Sequence, residues 1–131
     1  MQSPVATVVS ADEKPHVTEG WWVICLCAGW CGVCREYRPL FEQLAAAHPE
    51  TRFAWVDVED EDALVGDLDV ETFPTLLIAD GRHARFLGPL VPQAGVLERL
   101  VVSLREQAQQ GVPPLGAEAS DLFDRVRTSR G

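Results

Sequence analysis

The chain has little basic charge, few histidines and no long apolar run, and each scarcity removes a class of function. It carries 11 Lys and Arg against 20 Asp and Glu, a formal charge of −9 over 131 residues. Nucleic acids and anionic membrane surfaces would repel such a chain, so neither is expected as a partner. No stretch approaches the roughly 20 consecutive apolar residues of a membrane span. The N-terminal region also lacks the basic start and continuous apolar centre of a secretory signal, so the expected setting is cytoplasmic and reducing. The three histidines, His16, His48 and His83, are scattered, which argues against a metal-ligand or general-base role for any of them. The acidic run Glu59 to Asp62 lacks the alternating ligands and glycine of a calcium loop and reads as a solvated helix start. No internal repeat is present.

What the chain does have is four cysteines, all between positions 25 and 34. Two of them form Trp30-Cys31-Gly32-Val33-Cys34, a C-x-x-C pair behind an apolar strand-like run and at the head of a helix-like run. Two cysteines at this spacing in a first helical turn bring their sulfurs close enough to close a small disulfide ring. The helix N-terminus also favours a thiolate on the first of them. This is the pattern of a thiol–disulfide redox centre.

The rest of the chain reads as one α/β domain, for which a hydrophobic content of 47% is ample. Val5 to Val9 is a short β-branched run suited to a first strand, followed by a polar segment through Gly20. Trp21 to Cys27 is continuously apolar, as in a strand buried on both faces, with Trp21 and Trp22 supplying core area. From Cys31 to His48, Val33, Tyr37, Leu40, Phe41 and Leu44 recur at helical spacing, with Pro39 inside the pattern, where a kink is expected one turn after Cys34. Arg52 to Val58 reads as a second core strand, and a short helix follows to about Leu68. Thr75 to Ala79 and His83 to Leu87 flank Asp80-Gly81, a strong hairpin signal. Val96, Leu97, Leu100, Val101 and Leu104 stripe a helix over 91–107. Residues 1–110 make the main domain. Residues 111–131 form an extension, partly disordered or a short helix over 121–127 that docks through Leu122, Phe123 and Val126.

The order of these elements resembles the thioredoxin family over roughly residues 5 to 107. The motifs that carry the likeness are Trp30-Cys31-Gly32-Val33-Cys34 and the later Phe73-Pro74-Thr75 step into a strand. The resemblance implies a thioredoxin fold, with a central mixed β-sheet flanked by helices and a cis bond before Pro74. It implies that Cys31 is the nucleophile that attacks a substrate disulfide and that Cys34 is the resolving thiol. Trp30, Gly32, Val33, Phe73, Pro74 and Gly88 would form the docking surface for an extended substrate chain. Protein disulfides would be the substrates and an NADPH-dependent thioredoxin reductase the electron source. No cofactor would be bound; the redox element would be the Cys31/Cys34 disulfide itself, in a monomer.

Three residues depart from the family pattern. Val33 stands where proline is usual, and the absence of histidine between the cysteines leaves the helix terminus as the main thiolate stabiliser. Cys25 occupies the position of a buried aspartate that serves as a proton relay, and Trp55 the position of that aspartate's lysine partner. Removing both charges avoids burying one alone. Cys25 and Cys27 share a sheet face, so that C-x-C-x3-C-x2-C offers four thiolates to a metal ion. A strand cannot bend freely around an ion, however, and buried cysteine commonly packs as a small hydrophobe. Structural packing is therefore the expectation for both, with no metal bound; a regulatory Cys25 that exchanges with Cys34 is the remaining reading. Two functions follow for the chain as a whole. One is a thiol–disulfide oxidoreductase cycling Cys31 and Cys34, and the other is a binding or chaperone module that uses the Phe73-Pro74 groove with weak redox activity.

Overall fold

The computed structural model describes residues 20–66, 72–91 and 93–130. The strand and polar segment expected before Gly20 lie outside the described residues, whereas the short helix expected to reach about Leu68 ends at Val65, with Gly66 at φ +64° as its C-cap. Four strands, β1 (Trp22–Cys27), β2 (Arg52–Asp57), β3 (Thr75–Ala79) and β4 (Ala84–Pro89), form a mixed sheet in the order β2-β1-β3-β4. β1 pairs parallel with β2 and antiparallel with β3, and β3 pairs antiparallel with β4. Four helices complete the fold: α1 (Gly32–Ala47), α2 (Asp62–Val65), α3 (Ala94–Gln109) and α4 (Ala117–Arg130).

The uninterrupted apolar run of β1 is explained by its central place, because every residue of the strand is buried and both sheet faces are covered. Alternation along the strand divides it between two core layers. Trp21, Val23, Cys25 and Cys27 face a layer shared with Cys34, Tyr37, Phe41 and Leu44 of α1 and with Leu97 and Leu104 of α3. Trp22, Ile24 and Leu26 face the opposite layer, where Leu122, Phe123 and Val126 of α4 cover the sheet. The Phe123 ring meets Trp22 edge-on, with centroids 5.9 Å apart.

The helical stripe of α1 differs from expectation at its first position. Val33 is 43% exposed, whereas Cys34, Tyr37, Phe41 and Leu44 are the buried residues. Their spacing places Cys34 on the inner face, directly over the sheet. The helix continues through Pro39.

The β3–β4 connection depends on a side chain as much as on a backbone turn. Gly81 adopts φ +98°, while the Asp80 carboxylate accepts the amides of Arg82 and His83 at 2.9 Å each and the Arg85 guanidinium at 2.8 Å. Burial works against that carboxylate, but these donors together hold it below the usual carboxylate range.

The C-terminal helix is longer than the one or two turns expected over 121–127, and polar contacts secure it at both ends. The Arg130 guanidinium grips both carboxylate oxygens of Glu61 at 2.8 and 2.9 Å and donates to the Trp55 carbonyl at 2.9 Å. Arg125 donates to the Leu64 carbonyl at 2.7 Å, at the end of α2. The Ser120 hydroxyl accepts the Ala84 amide at 3.2 Å.

Candidate active site

The candidate site lies where β1 turns into α1. Cys27 ends β1, and Ala28 to Trp30 make the turn, which is closed by the Cys31 amide donating to the Ala28 carbonyl at 3.0 Å. Cys31 is the N-cap of α1, with extended φ −84° and ψ 120°, and its carbonyl accepts the Arg35 amide at 3.2 Å. Its thiol is free and half-buried. The first turn of α1 then carries Cys34 inward, to 1% exposure.

In this form the sulfurs are paired otherwise than the C-x-x-C spacing suggests. Cys34 is bonded to Cys27, with the two Cα atoms 5.9 Å apart, and Cys31 is a free thiol. Cys27 is therefore a disulfide partner as well as a buried residue of this core layer. The physical reason is the crossing of two periodicities. The two-residue repeat of β1 points Cys27 toward α1, and the helical repeat points Cys34 toward β1. Sequence proximity favours the C-x-x-C pair, but tertiary packing gives Cys34 a partner from the strand below.

Cys25 is fully buried beneath this bond, and its Sγ lies 3.5 Å from that of Cys27. Because Cys27 carries no hydrogen in the disulfide, the Cys25 thiol is the donor in this contact. Burial pushes the Cys25 thiol up to about 12, so it remains neutral at ordinary pH. The Tyr37 hydroxyl is buried without a hydrogen-bond partner among the described residues. Burial, and next the negative charge that an ionised Cys25 would carry, push its pKa to about 12. Trp55 stands in register with Cys25 on β2. It is half-buried beneath the Arg38 guanidinium, 5.1 Å from the ring centroid, with the Phe41 ring 5.6 Å away. Cys25 and Trp55 thus lie side by side in a layer of sulfur and aromatic rings.

Around Cys31 the surface is apolar. Trp30 is 62% exposed and stands edge-on to Phe73 at 5.7 Å. Val33 is exposed, as is Gly32, where an added Cβ would meet open space. The Phe73–Pro74 bond is cis and leads into β3. Phe73 and Cys31 both pack against the α1-side core layer. Gly88 lies on β4 opposite Leu76, where an added Cβ would make ordinary contact with Phe86 at 3.5 Å. The fold itself therefore does not demand a glycine at this position.

Two acidic residues belong to the site although neither was expected there: Glu59 opens the acidic run read as a solvated helix start, and Asp57 lies in the segment read as the second core strand. Glu59 accepts the Trp30 indole N–H at 2.9 Å and so orients the exposed ring. Asp57 lies beneath the turn, where its carboxylate would be 3.1 Å from a Cβ at Gly29. It also accepts the amides of Glu59 and Asp60 at 2.9 and 3.2 Å. The parallel β1–β2 pairing of Cys27 with Asp57 brings this loop to the cysteines. No sequence spacing announces that contact. Among the described residues, no group of three or more His, Cys, Asp or Glu is arranged to hold a metal ion, and no helix is long and apolar enough to cross a membrane.

Comparison with known proteins bears on this arrangement directly. The family model described as Thioredoxin matches residues 5–94. A putative thioredoxin 2 from Streptomyces coelicolor is 33% identical over 72 residues, which cover 54% of each chain, so this chain matches about half the length of that relative. An H-type thioredoxin from Picea mariana is 32% identical over 119 residues, covering 79% of this chain and 93% of the relative. Among solved structures, Fasciola hepatica thioredoxin superposes with a TM-score of 0.57 at 28% identity, covering 66% of this chain and 83% of that one.

Proposed function

The chain belongs to the thioredoxin family, and on that premise we propose that it is a thiol–disulfide oxidoreductase that reduces protein disulfides through Cys31 and Cys34. The observation that carries this reading is the free, half-buried Cys31 thiol at the N-cap of a 16-residue helix, beside exposed Trp30 and Val33. The N-terminal end of a helix favours negative charge, and a thiolate is the attacking species in disulfide exchange.

In the reducing cycle, the Cys31 sulfur attacks one sulfur of the substrate disulfide, and the other substrate sulfur departs as a thiolate and takes up a proton. Cys34, in its reduced form, then attacks the Cys31 sulfur of the mixed disulfide and releases the second substrate thiol. Two electrons pass from the cysteine pair to the substrate, and a Cys31–Cys34 disulfide remains. The substrate chain would lie across Trp30, Gly32, Val33, Phe73, Pro74 and Gly88, hydrogen-bonded through backbone and thus tolerant of sequence. A separate reductase of the thioredoxin-reductase type would restore the dithiol, with no cofactor bound to this chain. We take the setting to be cytoplasmic and reducing, where a dithiol cycle of this kind runs toward reduction of substrate disulfides. We take the acting unit to be a monomer of residues 1–110 carrying the 111–131 extension.

One observation favours the second reading, a binding module with weak redox activity: Cys34 is engaged with Cys27 and so unavailable for resolution in this form. Insulin reduction driven by dithiothreitol separates the two. Loss of most of the catalysed rate in Cys31→Ser is the expected result. A wild-type rate no faster than dithiothreitol alone, with partner binding intact, would establish the module instead.

A further inference from the structure

Resting on the oxidoreductase reading, we propose that Cys27 is a third redox cysteine, and that the Cys31–Cys34 disulfide formed by substrate passes by internal exchange to the buried Cys27–Cys34 position. In this step the Cys27 sulfur attacks Cys34, the Cys27–Cys34 bond forms and the Cys31–Cys34 bond breaks. The proton lost by Cys27 is taken up by the departing Cys31 sulfur. The bond count and oxidation level are unchanged, so no outside oxidant or reductant enters.

The geometry supports each requirement. Cys34 stands between two partners, with Cys27 below it at a Cα separation of 5.9 Å, inside the ordinary disulfide range, and Cys31 one turn before it on α1. The two arrangements differ in which sulfur Cys34 holds. Cys31 departs at the helix N-terminus, the end that favours negative charge. Access distinguishes the two bonds. Cys27 and Cys34 are each 1% exposed, whereas Cys31 is half-buried. A disulfide moved to Cys27–Cys34 is shielded from large reductants, and Cys31 becomes free to react again. Reduction of the buried bond then passes through Cys31, which re-forms the outer disulfide before an external thiol attacks it.

The chain contains a convenient cleavage site for the test. Chymotryptic cleavage after Trp30 and Tyr37 separates a fragment bearing Cys25 and Cys27 from Cys31–Tyr37, and cleavage after Leu26 separates Cys25 from Cys27. Reduced protein would be turned over once with insulin, acid-quenched, alkylated, digested and mapped by mass, alongside a steady-state insulin assay. The expected result is insulin reduction together with a Cys27–Cys34 cross-linked fragment pair and alkylated Cys31. Cys27→Ala should lose the cross-link and trap the disulfide inside the Cys31–Tyr37 fragment. Cys31→Ser, oxidised chemically, should lose dithiothreitol reduction of the buried bond on the order of tenfold in rate. Turnover with only the Cys31–Cys34 bond, or with Cys25 in the cross-link, overturns the exchange while leaving the oxidoreductase reading intact. Absence of turnover in the wild type overturns the oxidoreductase reading, and the exchange with it.

Discussion

Four sulfurs within ten positions occupy three different environments, and those environments rather than their spacing set what each can do. Cys31 caps a helix beside exposed rings, Cys27 and Cys34 share a bond, and Cys25 lies beneath them in apolar surroundings. Because burial raises the Cys25 thiol from 9.0 to about 12, iodoacetamide near neutral pH should label Cys31 and leave Cys25 unmodified until denaturant is added. Labelling of both at one rate would contradict this. The same shift has a stability consequence with a definite sign. An unfolded Cys25 releases its proton from about pH 9.0 upward, whereas the folded one holds it to about 12. Stability is therefore complete below 9.0 and falls as pH rises across that window. Tyr37, raised from 10.0 to about 12, acts in the same direction. Denaturant midpoints recorded through the alkaline range should decline accordingly, and less steeply in Cys25→Ala. Restoring the relay carboxylate with Cys25→Asp should speed release of the mixed disulfide while lowering stability by about 2–4 kcal/mol, since a lone carboxylate would enter a fully buried position. An unchanged single-turnover rate would separate the missing aspartate from any kinetic role.

At the scale of elements, strands and helices followed from periodicity, and their partners followed less completely. The continuous apolar run of β1 and the Asp80-Gly81 turn between β3 and β4 were legible because each rests on local chemistry: burial on two faces, and a short side chain that accepts nearby amides. The stripe of α1 was legible only in part, since Val33 and Cys34 are adjacent and both apolar, and only the sheet beneath decides which one turns inward. α4 was visible as Leu122, Phe123 and Val126. Its anchors, Arg125, Arg130 and Ser120, are ordinary polar residues whose partners lie as many as 75 positions away. Phe123 is fully buried against Trp22, so Phe123→Ala should cost about 3–5 kcal/mol in denaturant unfolding. A cost near zero would mean that α4 leaves the sheet in solution. The Glu61 carboxyl is held below its ordinary 4.5, first by its hydrogen bond from Arg130. Its contribution to docking is present above that value and is lost as pH falls through the depressed one. Arg130→Ala should weaken this acid dependence, as followed by hydrogen exchange in α4.

For the molecule as a whole, the sheet with helices on both faces explains how one chain holds a half-buried free thiol at a helix cap and a buried disulfide one helical turn further on. The Cys27–Cys34 link closes a loop between residues 7 apart, so its reduction should lower the unfolding free energy by about 2 kcal/mol. A denaturant midpoint unaffected by reductant would show that the link is absent in solution. The sequence by itself determined the class of fold, the central strand, the C-x-x-C motif at a helix start and the Phe73-Pro74 step, because each is written in residues close together along the chain. Tertiary structure alone decided that Cys34 meets Cys27, that Glu59 orients Trp30, that Asp57 underlies the turn and that α4 covers the second sheet face. Those contacts join residues on different elements, and their distances depend on strand order and register, which no local pattern of side chains encodes.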